Sequence, residues 1–266
     1  MARDLTYQSA SGACGGCRIL SHTPGDHWLK VQYQTLFRLR PDGRIEREND
    51  PDYSPGPRFW LAGCSERTLF GLRDDLPDDL VAEIEGLAAS EPPLTHTAPP
   101  KYLARYLSLL GKDGPAAHNL GLTYELPNAH PYPCPSNARL INSDSQEGRD
   151  LVHSWASAGV PENLVELGFH QATDFWTPWC GVIVDDEVAS LAFAARLADT
   201  GAELGLVTGK AFRGQGFAAT ATAGLSQLPS LRSRMLFYST DQGNISSQRV
   251  AERLGLRLRG ASLRIA

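Results

Sequence analysis

Apolar and polar positions change period several times along the chain. From Val31 to Leu39 the order V-Q-Y-Q-T-L-F-R-L alternates, Pro41-Asp42-Gly43 breaks it, and Arg44 to Arg47 resumes, which predicts a β-hairpin. Leu76-Pro77-Asp78-Asp79 opens a helix running to about Ala89, with Pro77 near its first turn and acids complementing the dipole. Tyr102, Leu103, Tyr106, Leu107 and Leu110 recur near helical spacing and predict a second, short amphipathic helix within Lys101 to Leu110. The proline-rich N-A-H-P-Y-P-C-P from Asn128 to Pro135 fits no regular element. A domain boundary is expected there, between an N-terminal α+β domain over 1–130 and a second domain over 136–266.

The second half has a clearer order. Ala138 to Ile141 reads as a short strand, and Ser143 or Asp144 as the cap of a helix to about Ala158. Pro178 precedes the strand W-C-G-V-I-V, which ends at Asp185-Asp186, and Val188 to Arg196 is its hairpin partner. Asp199-Thr200-Gly201 turns into a strand from Glu203 to Thr208. Gly216 to Leu228 is expected as a helix, Met235 to Thr240 as a strand, Asn244 to Leu254 as a helix and Leu256 to Ile265 as a last strand. The order β-α-β-β-β-α-β-α-β is that of a mixed α/β (α+β) domain.

Composition narrows the class. The chain has 266 residues, 42% of them hydrophobic, which suits two domains with ordinary cores. No stretch approaches the ~20 apolar residues that span a bilayer, so a cytoplasmic protein without a membrane partner is expected. A net charge of −5 gives no global attraction to nucleic acid, and five irregularly spaced cysteines do not form a disulfide framework. Charge is uneven, however: seven acids and no base lie between Asp74 and Glu91, and seven arginines against two acids lie between Leu231 and the end. Both runs read as solvated faces, or the basic one as an attractor of polyphosphate.

The most specific signal is T-G-K-A-F-R-G-Q-G-F-A, from Thr208 to Ala218, followed by L-F-Y-S-T-D-Q-G-N-I-S-S-Q-R-V-A-E-R-L-G-L, from Leu236 to Leu256. Residues without a Cβ let several N–H groups converge on phosphate oxygens, and a helix N-terminus adds its positive end. A Walker loop is excluded because the G-K-[ST] ending is missing, and a dinucleotide fingerprint would need glycine at Ala219.

The two segments together resemble the acetyl-CoA core of the GNAT acetyltransferase superfamily. The loop pattern Q/R-x-x-G-x-G/A lies on Arg213, Gly216 and Ala218, and N-x-x-[AS]-x-x-x-x-x-x-x-G-[FL] lies on Asn244, Ser247, Gly255 and Leu256. Glu203 to Thr208 and Asn244 to Leu256 are most similar to the branch that includes zwittermicin-resistance-type acetyltransferases. The resemblance covers the C-terminal half only. It implies a mostly antiparallel sheet flanked by helices, acetyl-CoA as co-substrate, and an amine of a small molecule or peptide as acceptor, attacked directly.

It also implies roles. Leu206, Val207 and Thr208 would bond the pantetheine arm, Gly214, Gln215, Gly216, Phe217 and Ala218 would offer amides to the pyrophosphate with Arg213 adding charge, and Asn244 and Ser247 would open the next helix. The tyrosine seven residues after the asparagine, the acid in many members, is replaced by Ala251. Tyr238 and Ser239 are the substitutes at hand, against a core role for the aromatic. Glu203 is the candidate base, against a structural salt bridge or hydrogen bond. Only eleven residues follow Gly255, too few for the closing hairpin usual in this sheet, so the N-terminal domain is expected to complete the edge, with its Val31 to Arg47 hairpin as candidate.

Other features have plainer readings. Cys14, Cys17, His22 and His27 make C-x2-C-x4-H-x4-H, near a zinc-knuckle spacing, but the segment lacks the usual internal aromatic, and no metal is expected. Phe175, Trp176 and Trp179 would wall an acceptor pocket or pack a domain seam. Two competitors remain: a CoA-binding sensor or interaction module without turnover, and a nucleic-acid binder using the cysteines and C-terminal arginines.

Overall fold

The computed structural model describes residues 27–111 and 116–266. The N-terminal region supplies α1 (His27–Leu36), β1 (Phe37–Leu39), β2 (Ile45–Glu48), β3 (Phe59–Gly63), β4 (Thr68–Leu72), α2 (Asp78–Ala89), α3 (Leu103–Leu110) and β5 (His118–Leu126). The rest of the chain supplies β6 (Arg139–Asn142), α4 (Gln146–Ala158), α5 (Glu162–Val165), β7 (Trp179–Val184), β8 (Glu187–Leu197), β9 (Gly201–Thr208), α6 (Phe217–Ser226), β10 (Met235–Asp241), α7 (Ile245–Arg253) and β11 (Arg257–Ile265). Apart from the small β1–β2 pair, all strands join one sheet in the order β4-β3-β11-β5-β10-β9-β8-β7-β6. Its neighbours are antiparallel except β9 and β10, which run parallel.

The expected completion of the sheet takes place, through a different segment. β5 lies between β10 and β11 and pairs with both, from Leu126↔Leu236 on one side to His118↔Ile265 on the other, while β3 extends the sheet beyond β11. The proline-rich segment 128–135 therefore does not divide the sheet, and it stays attached through Ala129 N to Ser226 O at 2.8 Å. A chain starting at residue 136 would leave facing edges of β10 and β11 unpaired around an absent strand. That fragment is expected to lack a cooperative thermal transition by circular dichroism; a sharp transition would show that β5 is dispensable.

The predicted strand over Val31 to Leu39 is instead mostly helix α1. Its alternation misleads because polar Gln32 and Thr35 are buried along with Val31, Tyr33 and Leu36, so between Val31 and Phe37 only Gln34 faces solvent. Gln32 donates to Thr123 Oγ1 at 2.9 Å, and the Thr35 hydroxyl donates to the Val31 carbonyl at 2.7 Å. Neighbouring Tyr33, Phe37 and Trp60 meet ring on ring at 5.3–5.8 Å. A second correction concerns the cap of α4, which is Ser145, accepting from Gly148 N at 3.1 Å. Ser143 instead receives the Trp179 amide, and Asp144 receives Ser230.

Strand alternation sends successive side chains to opposite faces. Ala202 and Leu204 pack with Phe217, Ala221 and Leu225 of α6, while Phe237 joins Trp28, Val31 and Trp60 around α1. Trp155 of α4 and Leu164 of α5 cover Ile183 and Leu191 on the α1 side of the sheet.

Candidate functional site

The parallel ladder between β9 and β10 is short. It holds Gly201↔Met235, Ala202↔Leu236 and Glu203↔Phe237, and then stops. Beyond this point β9 follows β8 as far as Thr208↔Ser190, while β10 follows β5 as far as Asp241↔Gly121. The strands splay, and Leu206, Val207 and Thr208 border the opening, half-buried. At the fork the Ser239 amide, two residues past the last pair, donates to Glu203 Oε1 at 2.9 Å. A side-chain carboxylate thus takes the place of a rung.

The glycine loop follows β9 directly. A single 3-10 turn, Lys210–Phe212, leads to Gly214 at φ 78° and Gly216 at φ 92°, a left-handed geometry that glycine reaches without penalty. Among the described residues the amides of Gly214, Gln215, Gly216, Phe217 and Ala218 make no backbone hydrogen bond, and the last two belong to the open first turn of the ten-residue α6. Arg213 folds back through Nε to the Thr208 carbonyl at 3.3 Å. A Cβ on Gly216 would lie 2.9 Å from Arg253 Nη1, so a second guanidinium stands at the loop. Motif reading passes over Arg253 at this loop, since it appears there only within a run of arginines.

Asn244 caps α7, its side chain accepting from Ser247 N at 3.0 Å. Tyr238 reaches the same turn: its hydroxyl lies 2.8 Å from Ser247 Oγ and donates to the Ser247 carbonyl at 3.2 Å. Burial pushes the phenol pKa upward against the opposing effect of the Ser247 contact. Ala251, on the next turn of α7, is fully buried. Tyr238 and Glu203 therefore belong to opposite faces of the sheet, with the fork between them.

Glu203 is buried on the α1 face, and its pKa is raised to about 7. Burial is the cause, opposed by hydrogen bonds from Ser239, by the positive charge of Arg196 and by the neighbouring Gln32 side chain. The carboxylate borders a cavity of about 240 Å3 whose floor includes Gly121, Ser239 and Ser262 and whose wall includes Gln32 and Leu36 of α1. Two arginines, Arg196 and Arg264, also face it. Both are held by Glu48, which accepts a hydrogen bond from Arg196 Nε at 2.7 Å and forms an ion pair with Arg264 Nη2. Sequence reasoning missed this cavity because its residues come from α1, β3, β5, β8, β9, β10 and β11, which no local motif connects.

The remaining candidates separate. Phe175 and Trp179 are buried with Trp155 and Phe169 in the core under α4, whereas half-buried Trp176 bonds the Ala194 carbonyl at 2.8 Å and meets the Phe193 ring. Cys14, Cys17 and His22 lie outside the described residues, and His27 opens α1. Among the described residues no group of three or more His, Cys, Asp or Glu side chains is placed to hold a metal, and no helix is long and apolar enough to cross a membrane.

Comparison with known proteins bears on the same region. Residues 144–257 match the family model of the acetyltransferase (GNAT) domain, which spans the fork, the glycine loop and α7. The narrower zwittermicin-resistance-type branch receives no support from this match. No curated protein matches the chain. Similar solved structures include an acetyltransferase of the GNAT family, described as putative, from Novosphingobium aromaticivorans, at 20% identity and TM-score 0.37 over 56% of this chain and 64% of the other. The chain thus spans just under two thirds of that protein's length. A GCN5-related N-acetyltransferase from Kribbella flavida is similar at 16% identity and TM-score 0.48, over 91% and 95% of the two chains. A GNAT-family acetyltransferase from Colwellia psychrerythraea is similar at 14% identity and TM-score 0.40, over 94% and 99%.

Proposed function

We propose that this protein transfers an acetyl group from acetyl-CoA to an amine by direct attack. The observation that carries the reading is the opening between β9 and β10 lying beside the unpartnered amides of Gly214 to Ala218. Loop amides and the α6 N-terminus would hold a pyrophosphate, with Arg213 and Arg253 adding charge. Leu206, Val207 and Thr208 would bond an extended arm threaded through the fork, and Asn244 and Ser247 would border it on the α7 side. Acetyl-CoA supplies the activated carbonyl. In the reaction a nitrogen–carbon bond forms, the carbon–sulfur bond breaks, and the ammonium proton passes to Glu203 while the sulfur leaves as a thiol.

Glu203 suits the role of base because its raised pKa, about 7, places it near the working range of a neutral-pH catalyst. It faces the cavity on the opposite side of the sheet from Tyr238, so acceptor and donor would approach the fork from different faces. Tyr238 suits the role of acid, since burial keeps its proton on at neutral pH and its hydroxyl reaches α7, where Ala251 has none to offer.

The test is release of free thiol from acetyl-CoA across an amine panel. Release that depends on the amine supports transfer; coenzyme A binding with no release for any amine would make the protein a binding module instead. Tyr238→Phe is expected to lower kcat tenfold or more with little change in KM for acetyl-CoA, general acid catalysis contributing ~10²–10⁴-fold. Unchanged kcat would reduce Tyr238 to packing and the Ser247 hydrogen bond.

A further inference from the structure

The cavity beside Glu203 has a chemistry of its own. Two of its lining groups are almost wholly buried and carry an unpartnered oxygen among the described residues: Gln32 Oε1 and Glu203 Oε2. The Gln32 nitrogen is engaged by Thr123 Oγ1 at 2.9 Å and lies 3.4 Å from Ser239 Oγ. Buried acceptors left without donors are costly, so a ligand presenting N–H groups fits this side.

The other side of the cavity carries opposite chemistry. Arg196 and Arg264 face it and share the single buried carboxylate of Glu48. Asp50 also lies near Arg196 and Arg47, and Glu203 feels the charge of Arg196, but among the described residues the only carboxylate paired directly with the two cavity arginines is that of Glu48. Asp241, the remaining acid at the cavity, is already engaged by Asn119 Nδ2 and by the Gly243 amide. The space, about 240 Å3, lies below the ~300–1,000 Å3 of pockets for drug-sized ligands.

We infer that the cavity is the acceptor site and that the acceptor is a small zwitterion, an α-amino acid or a molecule of that class. Its ammonium group lies between Glu203 Oε2 and Gln32 Oε1, and its carboxylate completes the charge of Arg196 and Arg264. This assignment rests on the acetyl-transfer reading and adds to it the class of acceptor. It also gives the N-terminal region a task, since α1, β2 and β5 build the wall, the buried counter-charge and part of the floor.

Calorimetry of the full chain with free amino acids and with the amines left on removing their carboxyl groups tests the binding directly, without turnover. At least one amino acid is expected to bind, and its decarboxylated amine at least tenfold more weakly, as loss of a charge-assisted hydrogen bond predicts. Arg264→Lys, which keeps the charge opposite Glu48 but not the fork geometry, is expected to shrink that preference severalfold. Gln32→Met is expected to weaken amino acid and amine alike. Equal affinity for each pair, an unchanged preference in folded Arg264→Lys protein, or no binding of any amino acid would overturn the assignment. Thiol release separates the two claims: release with polyamines or peptides but with no amino acid keeps the transfer reading and sinks the zwitterion. Amino acids that bind without any amine driving release would do the reverse.

Discussion

Replacing Gly216 with glutamate is expected to lower affinity for coenzyme A at least a hundredfold while leaving a folded protein. Gly216 sits at φ 92° as the residue that opens α6, and its missing Cβ leaves Arg253 Nη1 room at 2.9 Å from where that atom would stand. A glutamate there places a carboxylate where a phosphate oxygen would receive the loop amides, and it draws Arg253 to itself. Two charge-assisted bonds lost at about 1.5–3 kcal/mol each correspond to roughly 10²–10⁴ in Kd. The left-handed backbone itself costs a side chain about 1–2 kcal/mol, which lowers Tm by a few degrees in a chain of this size. Gly216→Ala carries that strain without the charge and is expected to bind within about tenfold of the parent, so calorimetry with coenzyme A on both variants isolates the electrostatic part. Parent-like affinity in Gly216→Glu would remove the loop from the site.

The C-terminal half was legible because its chemistry is local. The glycines needed for positive φ, the small Ala218 and Ala219 in the first turn of α6 and the capping Asn244 all sit within a few residues of the backbone they shape. The elements from β6 to β11 accordingly lie close to where hydrophobic periodicity places them. The N-terminal region was less legible for a physical reason of the same kind. α1 is buried on nearly all sides, so its polar positions mark internal hydrogen bonds, Gln32 to the sheet and Thr35 to its own helix, rather than solvent, and the resulting alternation imitates a strand. β5 carries no signal of its destination, because strand pairing across more than 100 residues leaves no trace in a local pattern. Glu203 shows the limit within the site itself. Its place on β9 could be read, whereas the face it occupies depends on the register of β9 against β8, which shifts between Ala194 and Arg196.

That placement gives Glu203 two measurable effects of opposite sign, both exposed by Glu203→Gln. As base, the carboxylate acts only when ionised, so the rate of the parent is expected to rise as pH passes about 7 and then level off. The glutamine cannot accept a proton; its rate is expected to fall ~10²–10⁴-fold and to lose that rise. Stability moves the other way. The native pKa of about 7 exceeds the ordinary 4.5, so between these values the folded chain holds a proton that the unfolded chain has released. Parent stability therefore falls as pH rises from about 4.5 to about 7 and stays low above it, by an amount on the order of 3 kcal/mol from ~1.4 per unit. The glutamine still accepts the Ser239 amide through its oxygen and never ionises, so the variant is expected to be more stable than the parent at pH 8 and equal to it near pH 4. Denaturant melts at the two pH values, beside initial rates from pH 5.5 to 9, separate the roles. A stabilised variant with parent-like rates would leave Glu203 as the wedge of the β9–β10 fork and nothing more, and a destabilised one would show that its charge is held by partners stronger than Ser239 and Arg196.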